Sequence, residues 1–324
     1  RPASPALSAS ILIEPMNIKI GIAFIALIIF SVYPFLVGPY YISMGLLIFM
    51  YIAMAGGWNF ISGYTGYVSL GHVVFFGTGA YATALQITYW NIHWFPASLI
   101  GGVCAVILAL PVGALCLRLR GPYFAIFMIG FNELMAILAS IFEDVTGGAE
   151  GISLPIVRHI IPIYFAMGGV VVGLLFVALW LDSSRFGLRI LSIREDEAAA
   201  ETLGINTTRY KLFAFLLSAF FPGVAGGIYA WYISYIDPET VFNILFSIQM
   251  VLMCILGGRG TAWGPVVGAT ILYLITEFTW ANFPHFHHFI AGVLMVVVVL
   301  FAPRGIMGYL FTRGILQPRP SFRN

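Results

Sequence analysis

Ten long apolar segments dominate this sequence and restrict the environment in which it can fold. They lie at 18–37, 40–61, 72–90, 94–117, 122–142, 160–181, 211–232, 241–257, 264–281 and 286–302. A helix rises about 1.5 Å per residue, so about 20 residues cross a hydrocarbon core of about 30 Å. Lipid offers the backbone no hydrogen-bond partners, and the alternating pattern of a membrane barrel is missing. The sequence therefore predicts an all-α, polytopic membrane protein of about ten transmembrane helices. Eight spans with two re-entrant pieces are the alternative.

The composition agrees with a lipid environment and argues against a nucleic-acid partner. Hydrophobic residues make up 60% of the 324 residues and charged residues 9%, whereas soluble domains carry about 25% charged residues. The net charge is +2, with Lys and Arg scattered along the chain, so no nucleic-acid partner is expected. The three cysteines lie in apolar segments without CxxC spacing, which favours roles as small buried hydrophobic residues.

The distribution of Lys and Arg predicts the orientation and the domain organisation. When the loop 182–210 is placed in the cytoplasm, all fifteen Lys and Arg residues except Arg158 fall on the cytoplasmic side, as the positive-inside rule requires. Both termini are then cytoplasmic. We expect an N-terminal tail over 1–17 that is not a cleavable signal peptide, a single transmembrane domain over 18–302 and a basic C-terminal tail over 303–324.

Two glycine-rich stretches, Gly56–Gly79 and Gly257–Gly268, interrupt the apolar pattern. Small residues let membrane helices pack closely, which accounts for Gly77 and Gly79. The polar run from Ser62 to His72 fits close packing less well, because irregular backbone at membrane depth is found where it is buried in protein or lines a cavity. Breaks in both halves of a membrane protein are typical of a transport path.

Polar side chains in or beside the apolar segments are candidates for that path. Ionisable groups inside a membrane are costly and are functional candidates by default. For Glu133, a role in the path and a structural role are equal alternatives. Glu277 lies nearer the outer interface, and this position favours a structural role for it. His72 could equally cap or pack a helix. The candidate path residues are Asn59, Tyr64, Ser69, His72, Asn132, Glu133 and Gln249.

The loop 182–210 is the longest polar stretch between two apolar segments. Acidic residues from Glu195 to Glu197, followed by alanines from Ala198 to Ala200, favour a short helix, and Gly204 suits its C-terminal cap. Apolar residues in the same loop favour a docking helix for a cytoplasmic partner over a plain connector.

Motifs of nucleotide-hydrolysing and hydrolytic enzymes are missing from the sequence. There is no P-loop, since neither Lys19 nor Lys211 follows a glycine, and no GxSxG or HExxH motif occurs. His285, His287 and His288 lack neighbouring Cys or carboxylate ligands, so no metal site is expected. The sequence predicts a non-catalytic transport protein without a cofactor of its own. An ion-coupled secondary transporter is an alternative in which Glu133 and Glu277 would form the relay.

Six blocks in order resemble LivM-type permeases, the membrane subunits of ATP-binding-cassette importers for branched-chain amino acids and related small solutes. The blocks are Gly63–His72 with Phe76–Tyr81, Arg118–Ile126, Thr146–Ile152, Arg194–Ile205, Gly257–Ala269 and Phe301–Gly305. The resemblance implies a location in the bacterial or archaeal plasma (inner) membrane. It also implies branched-chain amino acids as cargo, with urea, short amides or another small solute as alternatives.

The same resemblance implies partners and contact residues. The partners would be a LivH-like second permease subunit, two ATPase subunits of the LivG and LivF kind that bind ATP and Mg²⁺, a periplasmic or extracellular substrate-binding protein, and membrane lipid. The ATPase coupling loop would use Arg189, Arg194, Glu195, Asp196, Glu197, Ala198, Ala199, Glu201 and Gly204. The loop facing the binding protein would use Thr146, Gly147, Gly148, Glu150 and Gly151.

Two positions depart from the family pattern. Ala198 stands where the coupling loop of such permeases often has Glu, and Glu197 comes one residue earlier. The Ala149-Glu150 pair replaces the expected Ser or Ala followed by Asp or Asn. The departures imply a shifted contact with the ATPase and an altered preference for the binding protein or cargo.

Overall fold

The computed structural model describes residues 30–119, 121–282, 292–293 and 305–312, and the regular structure in this part of the chain is almost entirely helical. Helix α1 is described over residues 30–36. The other helices are α2 (Pro39–Trp58), α3 (Val73–Trp90), α4 (Trp94–Cys116), α5 (Pro122–Ile141), α6 (Glu143–Thr146), α7 (Ile161–Ser183), α8 (Arg185–Glu195), α9 (Glu197–Thr202), α10 (Thr207–Ile233), α11 (Pro238–Val241), α12 (Ile244–Gly257), α13 (Gly264–Asn282) and α14 (Gly305–Thr312). A π-helical turn (Asn59–Gly63), a 3-10 turn (Gly148–Glu150) and two strands, β1 (Ile152–Ser153) and β2 (Tyr235–Ile236), complete them.

The prediction of an all-α polytopic membrane protein is confirmed. Eight of the ten apolar segments correspond to α2, α3, α4, α5, α7, α10, α12 and α13. Among the described residues, six stretches are long and apolar enough to cross a membrane: Pro39–Gly63, Trp94–Cys116, Pro122–Ile141, Ile161–Ser183, Thr207–Ile233 and Pro238–Gly257. The predicted segments at 18–37 and 286–302 and the three clustered histidines lie largely or wholly outside the described residues. The total of ten spans therefore stays a prediction.

Helix α10 forms the centre of the bundle, where it packs against α3, α4 and α2. Glycines permit this packing, because a Cβ on Gly79 would lie 1.9 Å from the carbonyl oxygen of Gly223. A Cβ on Gly77 would likewise lie 2.3 Å from the ring of Phe242. The prediction that close packing accounts for Gly77 and Gly79 is confirmed.

A short antiparallel ribbon joins two connections at one end of the bundle. Ile152 pairs with Ile236 and Ser153 with Tyr235. Gly151 enters the ribbon with φ +71°, and a Cβ there would lie 2.1 Å from the carbonyl oxygen of Ile236. The ribbon thereby ties the connection that follows α5 to the connection that follows α10.

Helix α5 stands apart from the central helices. Of its apolar span 22% is buried, compared with 67% for the spans that contain α2 and α10. The side chains of Tyr123, Ile126 and Ile141 are each more than three-fifths exposed. One face of α5 therefore has no partner among the described helices.

Candidate functional site

Both predicted helix breaks are present. The first begins with the π-helical turn, in which the N–H of Tyr64 donates to the carbonyl of Asn59 five residues earlier, at 3.0 Å. Residues 64–72 then continue without regular helix until α3 begins at Val73. The second break is the turn between Gly257, where α12 ends, and Gly264, where α13 begins. Irregular backbone thus separates α2 and its π turn from α3, and α12 from α13.

The two breaks contact each other through a buried asparagine. The side-chain amide of Asn59 donates to the carbonyl of Thr261 at 2.9 Å. Its side-chain oxygen accepts from the backbone N–H of Gly260 at 2.7 Å and from the thiol of Cys254 at 3.2 Å. Because buried polar groups are costly unless paired, this set of bonds holds the breaks in one arrangement.

Arg194, from the loop 182–210, reaches the same place. Its Nη1 donates to the carbonyl of Gly63 at 2.8 Å, and a Cβ on Gly260 would lie 2.4 Å from this nitrogen. Burial, together with the nearby guanidinium of Arg259, lowers the pKa of Arg194, but an arginine side chain stays protonated in proteins. We name Asn59, Gly63, Arg194, Gly260 and Thr261 the break junction. It connects the longest polar loop to both broken spans.

A buried ion pair provides a second connection between this loop and the spans. Lys211 Nζ, at the start of α10, lies 2.6 Å from Glu197 Oε1, with side-chain exposures of 5% and 16%. The Tyr67 hydroxyl donates to Glu197 Oε2 at 2.7 Å, and Lys211 also donates to the carbonyl of Leu117 at 3.3 Å. Glu197, which departs from the family register, therefore points into the protein.

We expect Lys211→Met to destabilise the purified protein by about 2–4 kcal/mol, because the Glu197 carboxylate loses its lysine in a poorly solvated position. The measurement is the temperature at which half of the protein aggregates in detergent. Lys211→Met combined with Glu197→Gln should recover part of the loss, since the unmatched charge is removed. Equal melting of wild type and single variant would contradict a stabilising pair.

The short helix predicted in the loop is present as α9, whose N-cap is Asp196 with its side chain accepting from the N–H of Ala199 at 3.0 Å. A further helix, α8, precedes it and was not predicted. Asp is a strong N-cap and starts a new helix here. The predicted cap at Gly204 is confirmed, with φ +80° and its N–H donating to the carbonyl of Glu201 at 2.9 Å.

Most of the predicted coupling residues lie at the surface of this loop. The exposed ones are Arg189, Glu195, Asp196, Ala198, Ala199, Glu201 and Gly204. Arg189 donates to the hydroxyl of Tyr210, and Leu203 beside Gly204 is 79% exposed. Arg194 and Glu197 instead hold the loop on the spans. Contact between the exposed residues and an ATPase stays a prediction.

Five of the candidate path residues are buried between helices: Asn59, Tyr64, Ser69, His72 and Asn132. The Tyr64 hydroxyl donates to Asp182 at 2.6 Å, His72 Nε2 lies 3.0 Å from the carbonyl of Ser218, and Asn132 donates to the carbonyl of Phe242 at 2.8 Å. Gln249 is partly buried on α12. Contact of these residues with a solute stays a prediction.

Three of the buried candidates keep one polar atom without a hydrogen-bond partner among the described residues. These atoms are Ser69 Oγ, His72 Nδ1 and Asn132 Oδ1. Buried polar atoms are usually paired, so unused hydrogen-bonding capacity at three of these positions is unusual.

Glu133 is the candidate that the structure places next to open space. It is exposed near the middle of α5 and lines a cavity of about 340 Å³ between α5 and α11. No pattern in the sequence joins Glu133 with the other polar residues of this cavity, namely Ser140, Glu239 and Asn243. No described residue forms an ion pair with Glu133. In contrast, Glu277 accepts from the Tyr40 hydroxyl at 2.7 Å, as expected of a structural role.

A second cavity, of about 550 Å³, lies beside the break junction. It is bounded by the first break, the start of α5 and the loop helices, with Thr65, Tyr67, Pro122, Arg194 and Asp196 among its lining residues. Sequence reasoning missed Tyr67, Asp182 and Lys211, which connect the loop to the spans. Of these three, Lys211 could have been selected from the sequence, because a lone lysine at the edge of an apolar segment needs a partner.

The glycine loop, residues 146–151, lies at the ribbon end of the bundle. The hydroxyl of Thr146 donates to the carbonyl of Ala139 at 2.6 Å and closes the turn. Gly147, Gly148 and Gly151 all have positive φ, a conformation that other residues rarely adopt. Glu150 is exposed. The predicted contact of this loop with a binding protein is not tested by the geometry.

Comparison with known proteins gives consistent matches along most of the chain. The family described as "Branched-chain amino acid transport system / permease component" matches residues 41–299. The high-affinity branched-chain amino acid transport system permease protein LivM of Escherichia coli (strain K12) is 29% identical over 91% of this chain and 76% of its own length.

Shorter matches extend to other transport permeases. The probable branched-chain amino acid transport permease protein LivH of Methanocaldococcus jannaschii is 30% identical over 43% of this chain and 46% of its own length. The ribose import permease protein RbsC of Haemophilus influenzae is 29% identical over 53% of this chain and 51% of its own length. No solved structure matches the chain.

Proposed function

Because the chain belongs to the family of branched-chain amino acid transport permease components, we propose that this permease subunit forms the translocation path for branched-chain amino acids together with a second permease subunit. The family match over residues 41–299 carries this proposal. In it, two partner ATPase subunits hydrolyse ATP, and a substrate-binding protein outside the membrane delivers the cargo. The chain itself catalyses no reaction.

The break junction supports a route from ATP hydrolysis to the path. The ATPases would bind the exposed face of α8 and α9 on the cytoplasmic side, with both termini of the chain on that side. A displacement of this loop would act on Gly63 and Gly260 through the guanidinium of Arg194. Since Gly63 lies at the first break and Gly260 at the second, one movement of the loop reaches both breaks.

The unpaired atoms of Ser69, His72 and Asn132 support a path in which side chains exchange partners during transport. A path that binds its cargo too tightly would not release it. Few polar groups, three of which keep free hydrogen-bonding capacity, suit weak and transient contacts. The same chemistry serves a zwitterionic amino acid with an apolar side chain, which the apolar helices around the first break would tolerate.

The test is uptake by the complete complex in proteoliposomes that contain the binding protein and labelled leucine. We expect uptake to require internal ATP and to be inhibited by valine and isoleucine but not by urea or acetamide. Uptake that continues with an ion gradient but no ATP would favour the secondary transporter. Inhibition by urea or acetamide, without inhibition by valine, would reassign the cargo and leave the permease role intact.

Gly204 offers a test of the loop in this role. We expect Gly204→Val to lower the number of leucine molecules transported per ATP by severalfold, because a β-branched residue at φ +80° strains the turn by about 1–2 kcal/mol. No atom lies within 4 Å of a Cβ at this position, so the variant should fold. Gly204→Asn is the control, since Asn tolerates the left-handed region. Unchanged coupling in Gly204→Val would make the loop a simple connector.

A further inference from the structure

A buried aromatic side chain forms one wall of the cavity between α5 and α11. Phe242, which follows α11, is 4% exposed and lines this cavity together with Glu133 and Glu239. Its ring stacks on that of Tyr81 in α3, with the ring centres 5.9 Å apart and the planes at 11°. Gly77 leaves room for the ring, because a Cβ there would lie 2.3 Å from it. Tyr81 is not among the residues that line the cavity, so the Phe242 ring separates the two.

Two polar side chains that contact Phe242 keep unused hydrogen-bonding capacity. Asn132 donates to the carbonyl of Phe242 at 2.8 Å, but its side-chain oxygen has no partner among the described residues. The hydroxyl of Tyr81 has none among them either. The two side chains are 1% and 6% exposed, respectively. Buried polar atoms are usually paired, so these two atoms suit a partner that is present only during part of a transport cycle.

The glycine loop, residues 146–151, is joined to the strand that leads toward Phe242. The hydroxyl of Tyr235 in β2 donates to the carbonyl of Glu150 at 2.9 Å. Gly151 packs directly on the next strand residue, since a Cβ there would lie 2.1 Å from the carbonyl oxygen of Ile236. A displacement of the glycine loop therefore acts on β2.

Helix α11 continues this connection from β2 to the Phe242 ring. Asp237 follows β2 directly and is the N-cap of α11, with its side chain accepting from the N–H of Thr240 at 3.3 Å. At the other end of the turn, the N–H of Phe242 donates to the carbonyl of Pro238 at 3.2 Å. A single hydrogen-bonded turn thus connects the ribbon to the ring, and movement of one displaces the other.

We propose that Phe242 is the outer gate of the path: its ring blocks the way from the cavity to Asn132 and Tyr81, and a binding protein seated on the glycine loop opens it through β2 and α11. This inference rests on the proposed function. An apolar ring excludes water and charged solutes from a passage while it stays in place. Once the ring has moved, the amide of Asn132 and the hydroxyl of Tyr81 offer donors and acceptors to the ammonium and carboxylate of an amino acid.

Transport in the absence of a binding protein tests the gate. Proteoliposomes that contain the complete complex and internal ATP, but no binding protein, are assayed with labelled leucine. We expect Phe242→Ala to raise this uptake at least about tenfold over wild type, because the ring no longer closes the path. Phe246→Ala is the matched control, since it removes a phenyl ring in the first turn of α12 that contacts Phe76 and Tyr51 instead. Phe242→Leu, which keeps an apolar side chain, should have an intermediate effect.

Thiol accessibility tests the same barrier without transport. The probe is Met128→Cys in a background without native cysteines, because Met128 is fully buried one turn from Asn132 on α5. A membrane-impermeant charged thiosulfonate is added from the side of the binding protein. We expect modification at least about tenfold faster when Phe242→Ala is also present, because the reagent then reaches a hydrated thiolate. Equal rates with and without the ring, or no modification in either case, would overturn the proposal.

The hydrogen bond from Tyr235 to Glu150 tests the route from the glycine loop to the gate. We expect Tyr235→Phe to lower the uptake that the binding protein stimulates severalfold. The same substitution should have no effect in the Phe242→Ala background, where no ring remains to be moved. An equal loss in both backgrounds would overturn this route.

The remaining outcomes separate the gate from the function. A monodisperse Phe242→Ala complex that requires the binding protein as strictly as wild type would overturn the gate alone. If Phe242→Ala aggregates, the same comparison is made with Phe242→Leu. A wild-type complex that takes up no leucine in the presence of ATP and the binding protein would contradict the proposed function itself.

Discussion

Replacing Arg194 by methionine should lower ATP-driven uptake by at least about tenfold while the complex still assembles and hydrolyses ATP. The guanidinium donates to the carbonyl of Gly63 and lies against Gly260, so its removal disconnects the loop from both breaks. A hydrogen bond to a charged group contributes about 1.5–3 kcal/mol, and about 1.4 kcal/mol corresponds to a tenfold change. The measurement is the ratio of leucine transported to ATP hydrolysed in proteoliposomes.

Arg209→Met is the matched control for this prediction. Arg209 is exposed in the first turn of α10 and is not among the predicted coupling residues or the residues of the break junction. Arg194→Lys should retain part of the coupling, since an ammonium can donate to one carbonyl but lacks the planar group that fits beside Gly260. Full coupling in Arg194→Met would show that the junction does not transmit movement of the loop.

Gly79→Val should prevent the protein from folding into a stable bundle. The new Cβ would lie 1.9 Å from the carbonyl oxygen of Gly223, and the atom that it meets is backbone, which cannot rotate away. Separating α3 from α10 would open one of the two most extensive helix contacts of the described residues, with a cost above about 3 kcal/mol. Monodisperse protein after extraction in mild detergent, compared by fluorescence-detected size exclusion, provides the measurement.

Gly169→Val serves as the control for the same substitution. Gly169 also lies inside a helix, α7, but a Cβ there has no atom within 4 Å. Both variants replace a glycine inside a helix by the same β-branched residue. They therefore differ only in how closely neighbouring atoms pack against the substituted position. Comparable yields of both variants would contradict a requirement for close contact between α3 and α10.

The apolar segments predict the helices well because lipid offers the backbone no hydrogen-bond partners, so every span must form its backbone hydrogen bonds internally. Eight predicted segments became helices, with boundaries that differ by a few residues. The breaks at Gly56–Gly79 and Gly257–Gly268 were also predictable, since glycine and polar residues are unusual at membrane depth. The number of spans is harder to predict from the sequence. Helices α3 and α13 carry enough Gly, Thr and other polar residues to weaken their apolar character.

The connections between the elements could not be predicted from the pattern. Asn59 was selected as a candidate for the path, yet its bonds run to Gly260 and Thr261, about two hundred residues later in the chain. Arg194 and Glu197 were selected as surface residues for a partner, but they bind the spans of their own chain. Sequence shows which residue types are out of place, whereas the partner that each one finds depends on how the helices cross.

The π-helical turn at Asn59–Gly63 has a geometric consequence for any movement of the first break. A π turn holds one more residue than an α turn. If this turn returned to α geometry, one residue would pass into the stretch 64–72, and the preceding helix would rotate by about 100° relative to α3, the angle between successive residues of a helix. Such a change would replace a hydrogen bond between residues five apart by one between residues four apart. Asn59, which begins the turn, would rotate with its helix, so its side chain would move away from Gly260 and Thr261 in the second break.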